Sequence, residues 1–384
     1  MIRVGLVLSL RGMWQGGANY FHNLLSCYQQ NPDKALRLEV FTDHDEDVAR
    51  YRSDAITIHL CPEVSLRNPR NWPRRALNKL LSYDPVLLRI MKRHRIDLLT
   101  HRSLGRQTAV NTLPWLPDLQ HKRFPEFFST RECANRDSSI DNVRLWGNIL
   151  LSSQAAANDF ERHYPELSSV QTRILHFSNA AALNVVPLGR EELEAQYPVR
   201  EPYFFLPNQF WRHKNHAVVV EALRQTPPEI RVICTGAMQD TRDLSYVPNL
   251  LAKVREAGLE QRFLSLGTVP YPAMVSLMHH SVAVLQPSRF EGWSTSVEES
   301  KAMCKQIILS NIEVHREQAP ERGMYFSPDS SEELAAHMKR IHTEFSPVVE
   351  ESFVEQRPQL KTRAEREWIK DFTRILKTVS AAQC

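Results

Sequence analysis

The sequence is short of glycine, with 12 residues in 384, so a glycine pair is informative where one occurs. The common glycine-rich nucleotide loops are missing. Gly12 and Gly17 have P-loop spacing, but Ala18 and Asn19 stand where Lys and Ser/Thr are needed, and there is no G-x-G-x-x-G. Cysteine is sparse as well. Cys27, Cys61, Cys133, Cys234, Cys304 and Cys384 form no C-x-x-C pair, which disfavours a zinc ribbon. Their long, irregular gaps do not suggest a disulfide framework, and a reducing, cytoplasmic setting fits better. No stretch approaches the roughly 18 apolar residues of a membrane-spanning helix. The opening MIRVGLVLSLRGMW breaks at Arg11 and reads as a first strand, not a secretory leader. Charge of one sign is not in excess either. Lys+Arg total 48 and Asp+Glu 44, a net +4, too balanced for a dedicated nucleic-acid binder.

What is present is ordinary globular material, 42% hydrophobic and 24% charged, long enough for two or three domains. Short apolar runs alternate with amphipathic stretches. Ile2–Leu10, Leu36–Thr42, Ala55–Leu60, Ile96–Thr100, Pro125–Ser129 and Asn148–Ser152 read as strands, with helical spacing in Ala18–Gln29 and Pro85–His94. Asn179–Arg200 reads as a domain connection. A second series follows, with strands at Tyr203–Pro207, Glu229–Thr235, Phe263–Thr268, Val282–Gln286 and Gln306–Ser310. Its helices are His216–Arg224, Pro248–Ala257, Pro272–His280, Ser296–Cys304 and Ser331–Phe345. Thr295/Glu298 and Ser296/Glu299 both fit a capping box. Arg363–Val379 is an amphipathic helix. Near-continuous apolar strands alternating with helices imply parallel sheets covered on both faces. The expected class is therefore α/β, with two domains and a ligand cleft between them.

Several motifs carry chemistry. Gly16-Gly17 lies between the first strand and its helix, where free N–H groups favour anions; a tight turn explains it equally well. Asp43-His-Asp45-Glu-Asp47 could hold a divalent metal, though a solvated acidic loop is the simpler reading. Arg67, Arg70, Arg74, Arg75 and Lys79, then Arg89, Lys92, Arg93 and Arg95, surround a lone acid, Asp84. With Trp72 and leucines between them, they suit an anionic membrane or a phosphorylated acceptor, or a solvated helix face. His121 sits in a Pro-rich loop and could transfer a proton or hold a hydroxyl, although a lone His is more often structural. In the second half, Gln209, Arg212 and Lys214 follow a strand, and Arg212 and Lys214 beside a helix start can clamp phosphates. Glu291-Gly292-Trp293-Ser294-Thr295-Ser296, with Glu299 beyond, places two carboxylates around a helix start that offers N–H groups to phosphate. Thr235-Gly236 leaves room for a bulky group to approach.

The spacing Glu291-x7-Glu299, Gly292 after the first Glu, and Gln209-x4-Lys214 resemble the family 4 glycosyltransferases, the retaining "group 1" enzymes. The resemblance covers essentially the whole chain. It implies the GT-B architecture: Rossmann-like domains over 1–185 and 201–362, facing a cleft, with a crossover helix over 363–384. It implies transfer of a sugar, with retention, from a nucleoside-diphosphate sugar to a saccharide or lipid-linked acceptor in surface polysaccharide or glycan synthesis. With cations and helix-terminal N–H groups to stabilise the leaving diphosphate, no metal and no other cofactor is expected, and the charge balance leaves no nucleic-acid partner. The expected setting is cytoplasmic, and the basic Arg67–Arg95 segment would make weak contact with an anionic membrane at its inner face. Lys214 would bind the donor diphosphate, Glu291 the donor sugar and Glu299 the ribose. Gly16 and Gly17 would close over the phosphates, and His121 would lie near the donor sugar. The family usually has Arg at Gln209, and Phe-Gly-Leu-Pro where Trp-Ser-Thr-Ser follows Gly292. Other readings of the same residues are a sugar-nucleotide epimerase, a silent nucleotide-sugar-binding module, and a metal-dependent GT-A transferase using Asp43 and Asp45.

Overall fold

The structure is a computed structural model. It describes residues 1–384 except Trp14, Leu66, Arg67, Pro69, Arg70, Gln107, Thr108, Glu201 and 382–384, and leaves aside the side chains of Gln15, Ser139, Asp141 and Asn142. The chain divides into two compact units. One is Met1–Phe177 with Glu365–Cys384, and the other is Ser178–Ala364.

In the first unit, β1 (Ile2–Leu8), β2 (Leu36–Thr42), β3 (Ile56–Leu60), β4 (Leu98–Thr100) and β5 (Asn111–Leu113) form a parallel sheet in the order β3-β2-β1-β4-β5. A second parallel set, β6 (Trp115–Leu116), β7 (Asn148–Leu151) and β8 (Gln171–Ile174), has the order β6-β7-β8. Pro114 separates β5 from β6. It cannot donate to a ladder, so the chain changes partner there, and its carbonyl accepts from Leu150 N at 2.8 Å. The stretch expected to be a Pro-rich loop is therefore partly strand. Conversely, Pro125–Ser129, expected to be a strand, begins as a 3-10 turn over Pro125–Phe127. Its proline supplies a fixed φ suited to a first helical position. The helices are α1 (Gln15–Gln30), α2 (Trp72–Leu81), α3 (Pro85–Arg93), α4 (Gln120–Arg123), α5 (Thr130–Asp141) and α6 (Gln154–His163). α3 packs hard on β1. A Cβ at Gly5 would lie 3.0 Å from Ile96 Cγ2 and 3.1 Å from Met91 Sδ.

The second unit has one parallel sheet. Its strands are β9 (Phe204–Pro207), β10 (Val232–Thr235), β11 (Phe263–Ser265), β12 (Val284–Gln286), β13 (Ile307–Ser310) and β14 (Gly323–Phe326), in the order β11-β10-β9-β12-β13-β14. Its helices are α7 (Arg190–Gln196), α8 (His216–Leu223), α9 (Tyr246–Glu256), α10 (Tyr271–His280), α11 (Thr295–Ala302), α12 (Glu313–Gln318), α13 (Ser331–Glu344) and α14 (Pro347–Ser352). Two apolar cores lie on the two faces of the sheet. One joins Phe204, Leu206 and Val232 to residues of α8, α9 and α13; the other joins Phe205, Ile233 and Val284 to residues of α7, α10 and α11. Such strands are apolar on both sides, which is why no alternation marks them in the sequence. Asn179–Arg200, expected to connect the domains, is part of this unit. Ala182, Leu193 and Val199 are buried in its second core, so the segment has packing of its own.

α15 (Arg357–Ala381) starts in the second unit and ends in the first. Arg357 Nε donates to Met303 O at 2.9 Å. From Glu365 onward the buried side carries Trp368, Ile369, Phe372, Ile375 and Leu376. The Trp368 ring lies 5.7 Å from Tyr20 and 6.3 Å from Phe177, and Phe372 lies 6.0 Å from His101. Phe372→Ala should therefore destabilise the first unit by about 3–5 kcal/mol, the range for emptying a buried aromatic site. Urea unfolding of the full chain, followed by circular dichroism, measures this, and Phe372→Leu should restore most of the loss.

Candidate active site

In an open parallel sheet, side chains converge beyond the carboxyl ends of strands, where the strand order reverses. In the second unit this point lies between β9 and β12, where β12 ends in Gln286 and β9 leads into Asn208. Asn208 follows β9, and its Nδ2 donates to Gln286 Oε1 at the end of β12. Gln286 Nε2 donates to Glu291 Oε1 at 3.0 Å and to Ser294 Oγ at 2.7 Å. Lys214, in the 3-10 turn before α8, reaches the same carboxylate oxygen at 2.6 Å. The left-handed backbone of Asn215 (φ 58) closes that turn, and its Nδ2 donates to the Pro287 and Pro328 carbonyls at 3.1 and 2.8 Å.

Electrostatics separates the two glutamates. Burial alone would raise the Glu291 carboxyl, but the adjacent Lys214 ammonium offsets this and holds it below the ordinary value. Glu299 has no such partner. Its Oε1 accepts from Asn179 Nδ2 at 3.0 Å and from Tyr271 OH at 3.1 Å, and burial pushes its pKa up to about 7. The histidines nearby are neutral at pH 7. Burial lowers His213 and His216 to about 3 and His315 to about 4, and the Lys214 charge acts in the same direction. His216 stacks on Phe210 at 4.2 Å.

The start of α11 differs from the capping box expected at Thr295 or Ser296. Ser294 is the N-cap residue and makes no side-chain cap bond, because its Oγ is taken by Gln286. Gln318 of α12 does the capping work instead. Its Oε1 accepts from Ser294 N at 3.3 Å, and its Nε2 donates to Ser294 O and Glu298 Oε1, both at 2.9 Å. Glu298 also accepts from Lys301 Nζ at 3.1 Å. The first-turn amides over Thr295–Val297 have no intrahelical acceptor and can receive an anion.

The remaining expected residues divide between the units. Gly292, Trp293, Ser294, Thr295 and Ser296 lie between Glu291 and Glu299 on this rim, and the Trp293 side chain is buried. Gly236, expected to leave room for a ligand group, admits the chain itself. Its φ is +131°, and a Cβ there would stand 2.5 Å from Asn208 O and 2.8 Å from Gln209 Cα. It thus lets the turn carrying Gln209 and Lys214 lie close to β10. Arg212 is exposed, 3.8 Å from Asp243, with its backbone N on Asp240 Oδ2 at 3.0 Å.

Gly16, Gly17 and His121 belong to the first unit. Gly16 and Gly17 lie in the first turn of α1, and it is Gly12, at φ +73°, that makes the turn before it. His121, on α4, is 2% exposed. Its Nε2 is 3.0 Å from Asp137 Oδ1, which also accepts from Tyr164 OH at 2.5 Å, while Lys122 Nζ holds Oδ2 at 2.9 Å. It is buried in helix packing, which lowers its pKa; the loop position expected for it is not found. The acidic run is engaged by the fold. Asp43 Oδ2 accepts from Ser9 OH at 2.8 Å, and Arg11 pairs with Glu46 and Asp47. Among the described residues no group of His, Cys, Asp and Glu is arranged to hold a metal. Arg74 is buried against Asp84, Arg75 and Lys79 are exposed, and Arg67 and Arg70 lie outside the described residues.

Sequence reasoning missed Asn208, Gln286, Gln318, Asn179 and Tyr271. Gln286 had a signal, a polar residue closing the apolar run Val282–Leu285. Gln318 and Asn179 reach the site only through tertiary folding.

Residues 190–351 match the family model described as Glycosyl transferases group 1. No curated protein sequence matches the chain. Among solved structures, sucrose-phosphate synthase from Thermosynechococcus elongatus is 15% identical over 100% of both chains, with a TM-score of 0.68. A glycosyltransferase from Rickettsia africae is 15% identical over 99% of this chain and 98% of its own, TM-score 0.66. HepE from Anabaena, solved in complex with UDP and glucose, is 17% identical over 99% and 100%, TM-score 0.65. The chain therefore has the α/β fold with parallel sheets of the GT-B glycosyltransferases.

The raised pKa of Glu299 has a thermodynamic consequence. The folded carboxyl titrates near 7 and the unfolded one near 4.5, so stability is full below the unfolded value and falls as pH rises towards the folded one. The loss should be about 3 kcal/mol, and Glu299→Gln should flatten the profile over that window. Urea midpoints measured from pH 4 to pH 8 on both proteins check this.

Proposed function

We propose that this protein is a retaining glycosyltransferase that takes its sugar from a nucleoside diphosphate. The observation that carries the reading is the Lys214–Glu291 pair at the strand-order reversal, one turn before the open amides of α11. The diphosphate gains negative charge as it leaves, and a cation with preorganised N–H groups stabilises it most at that moment. Lys214 would exchange Glu291 for diphosphate oxygen, freeing the Glu291 carboxylate to accept from donor-sugar hydroxyls. Glu299 would accept from the ribose. UDP is the first nucleotide to test, because HepE was solved with it. The acceptor is a saccharide or lipid-linked glycan.

The chemistry favours retention. An inverting enzyme usually needs a base opposite the leaving group. The buried histidines around Lys214 are too weakly basic, and Glu291 would be engaged with donor-sugar hydroxyls. The bond from the anomeric carbon to the diphosphate oxygen breaks first. The acceptor oxygen then bonds that carbon on the same face, and its proton passes to the departing phosphate oxygen. The positive charge comes from the chain's own groups, so no metal is needed in this scheme.

Lys214→Ala should weaken UDP binding about ten- to hundredfold, the worth of a charge-assisted hydrogen bond. Titration calorimetry measures it. Because this change strips Glu291 of its counter-charge, Lys214→Ala/Glu291→Gln serves as the folded control, and unchanged affinity in both would remove Lys214 from the site. The anomeric coupling of fresh product, read by NMR, should match that of the donor; an inverted anomer would overturn the mechanism. Transfer should survive EDTA, and loss of activity restored by Mg²⁺ or Mn²⁺ would return a metal to the scheme.

A further inference from the structure

α2 is amphipathic the wrong way round for a helix of a soluble fold. At about 100° per residue, Trp72, Pro73, Ala76, Leu77, Leu80 and Leu81 share one half of its circumference. That half faces outward: Trp72 is 59% exposed, Leu77 41%, Leu80 80% and Leu81 40%. The side turned to the protein carries Arg74, which is buried. Its guanidinium pairs with Asp84 and donates to Glu63 O.

The helix is also fixed at both ends. Asn71 Nδ2 donates to the Pro62 and Ser65 carbonyls at 3.0 and 2.8 Å. At the other end Arg106 N donates to Ser82 O at 2.7 Å. There Gly105 lies so close that a Cβ would meet Ser82 O at 2.5 Å. The outward apolar arc is therefore held in place by polar bonds rather than left over from loose packing.

We propose that α2 docks this protein, apolar side down, on an anionic lipid bilayer. An arc half a helix wide suits a planar interface, and an exposed Trp suits the headgroup boundary. Charge complementarity selects the lipid. Arg75 and Lys79 are exposed on α2, and α3 exposes Arg89, Lys92 and Arg93. The lone acid among them, Asp84, is consumed by Arg74 and by capping α3 through Leu87 N at 3.0 Å. Cations at an acidic leaflet add to the apolar insertion. This inference stands apart from the transferase reading, because the assay reads lipid binding and not turnover.

The test is sedimentation of the full chain with vesicles of phosphatidylcholine alone and of equimolar phosphatidylcholine and phosphatidylglycerol. The protein should pellet with the mixed vesicles and much less with the neutral ones, and salt should weaken the binding. Arg75→Gln and Lys79→Gln should each lower partitioning about fivefold. Leu80→Gln should lower it about tenfold without moving the melting temperature, since Leu80 touches little of the fold. No binding to mixed vesicles by the wild-type protein overturns the proposal, as does binding that Leu80→Gln leaves unchanged. Self-association without lipid that Leu80→Gln abolishes would assign the face to a second copy, and overturns it too.

Discussion

The buried carboxylate of Glu291 sets the terms for everything around it. A charge removed from water must be matched or neutralised, and the match here is a single ammonium 2.6 Å away. That requirement explains the tight turn that delivers Lys214, the left-handed Asn215 that ends it, and the glycine at 236 that lets the turn lie close to the neighbouring strand. The surrounding histidines stay neutral chiefly because they are buried, and the Lys214 charge adds to that effect.

The charged partner is what separates the two glutamates electrostatically. Glu291 is ionised and engaged, whereas Glu299, with hydroxyl and amide donors alone, sits near its midpoint at neutral pH. One carboxylate thus has a fixed charge and the other an adjustable one, on opposite sides of a helix start with open amides. A ligand donating hydroxyls to Glu299 would favour the ionised form, so its binding would be linked to proton release.

Much of this was legible in the sequence because the relevant signals are local. The apolar runs ending in Pro207 and Gln286 mark two strands, and Lys214, Glu291 and Glu299 stand close behind them in the chain. Gln318 and Asn179 are far from the site in sequence and marked by no pattern, so only the folded chain brings them in. Local signals also misled. Thr295, Ser296, Glu298 and Glu299 spell a cap, yet Gln286 and Gln318 compete successfully for Ser294. His121 sits among prolines as a loop residue would, but Tyr164 and Asp137, brought there by two later helices, bury it. The dipeptide Gly16-Gly17 drew the eye, while Gly12 carries the left-handed turn.

α15 bears on how the chain is made. The first unit is not contiguous. Its core lacks Trp368, Phe372 and Val379 until the second half of α15 is in place. Domains emerging from a ribosome commonly fold in order, the N-terminal one first. Here the second unit, Ser178–Ala364, holds all of its own core residues and can close while the first still waits with the aromatic surface of Tyr20 and Phe177 uncovered. A helix segment lying beyond Ser178–Ala364 in the chain thus completes a unit that begins at Met1, so the first unit cannot finish packing before the whole of the second has been made.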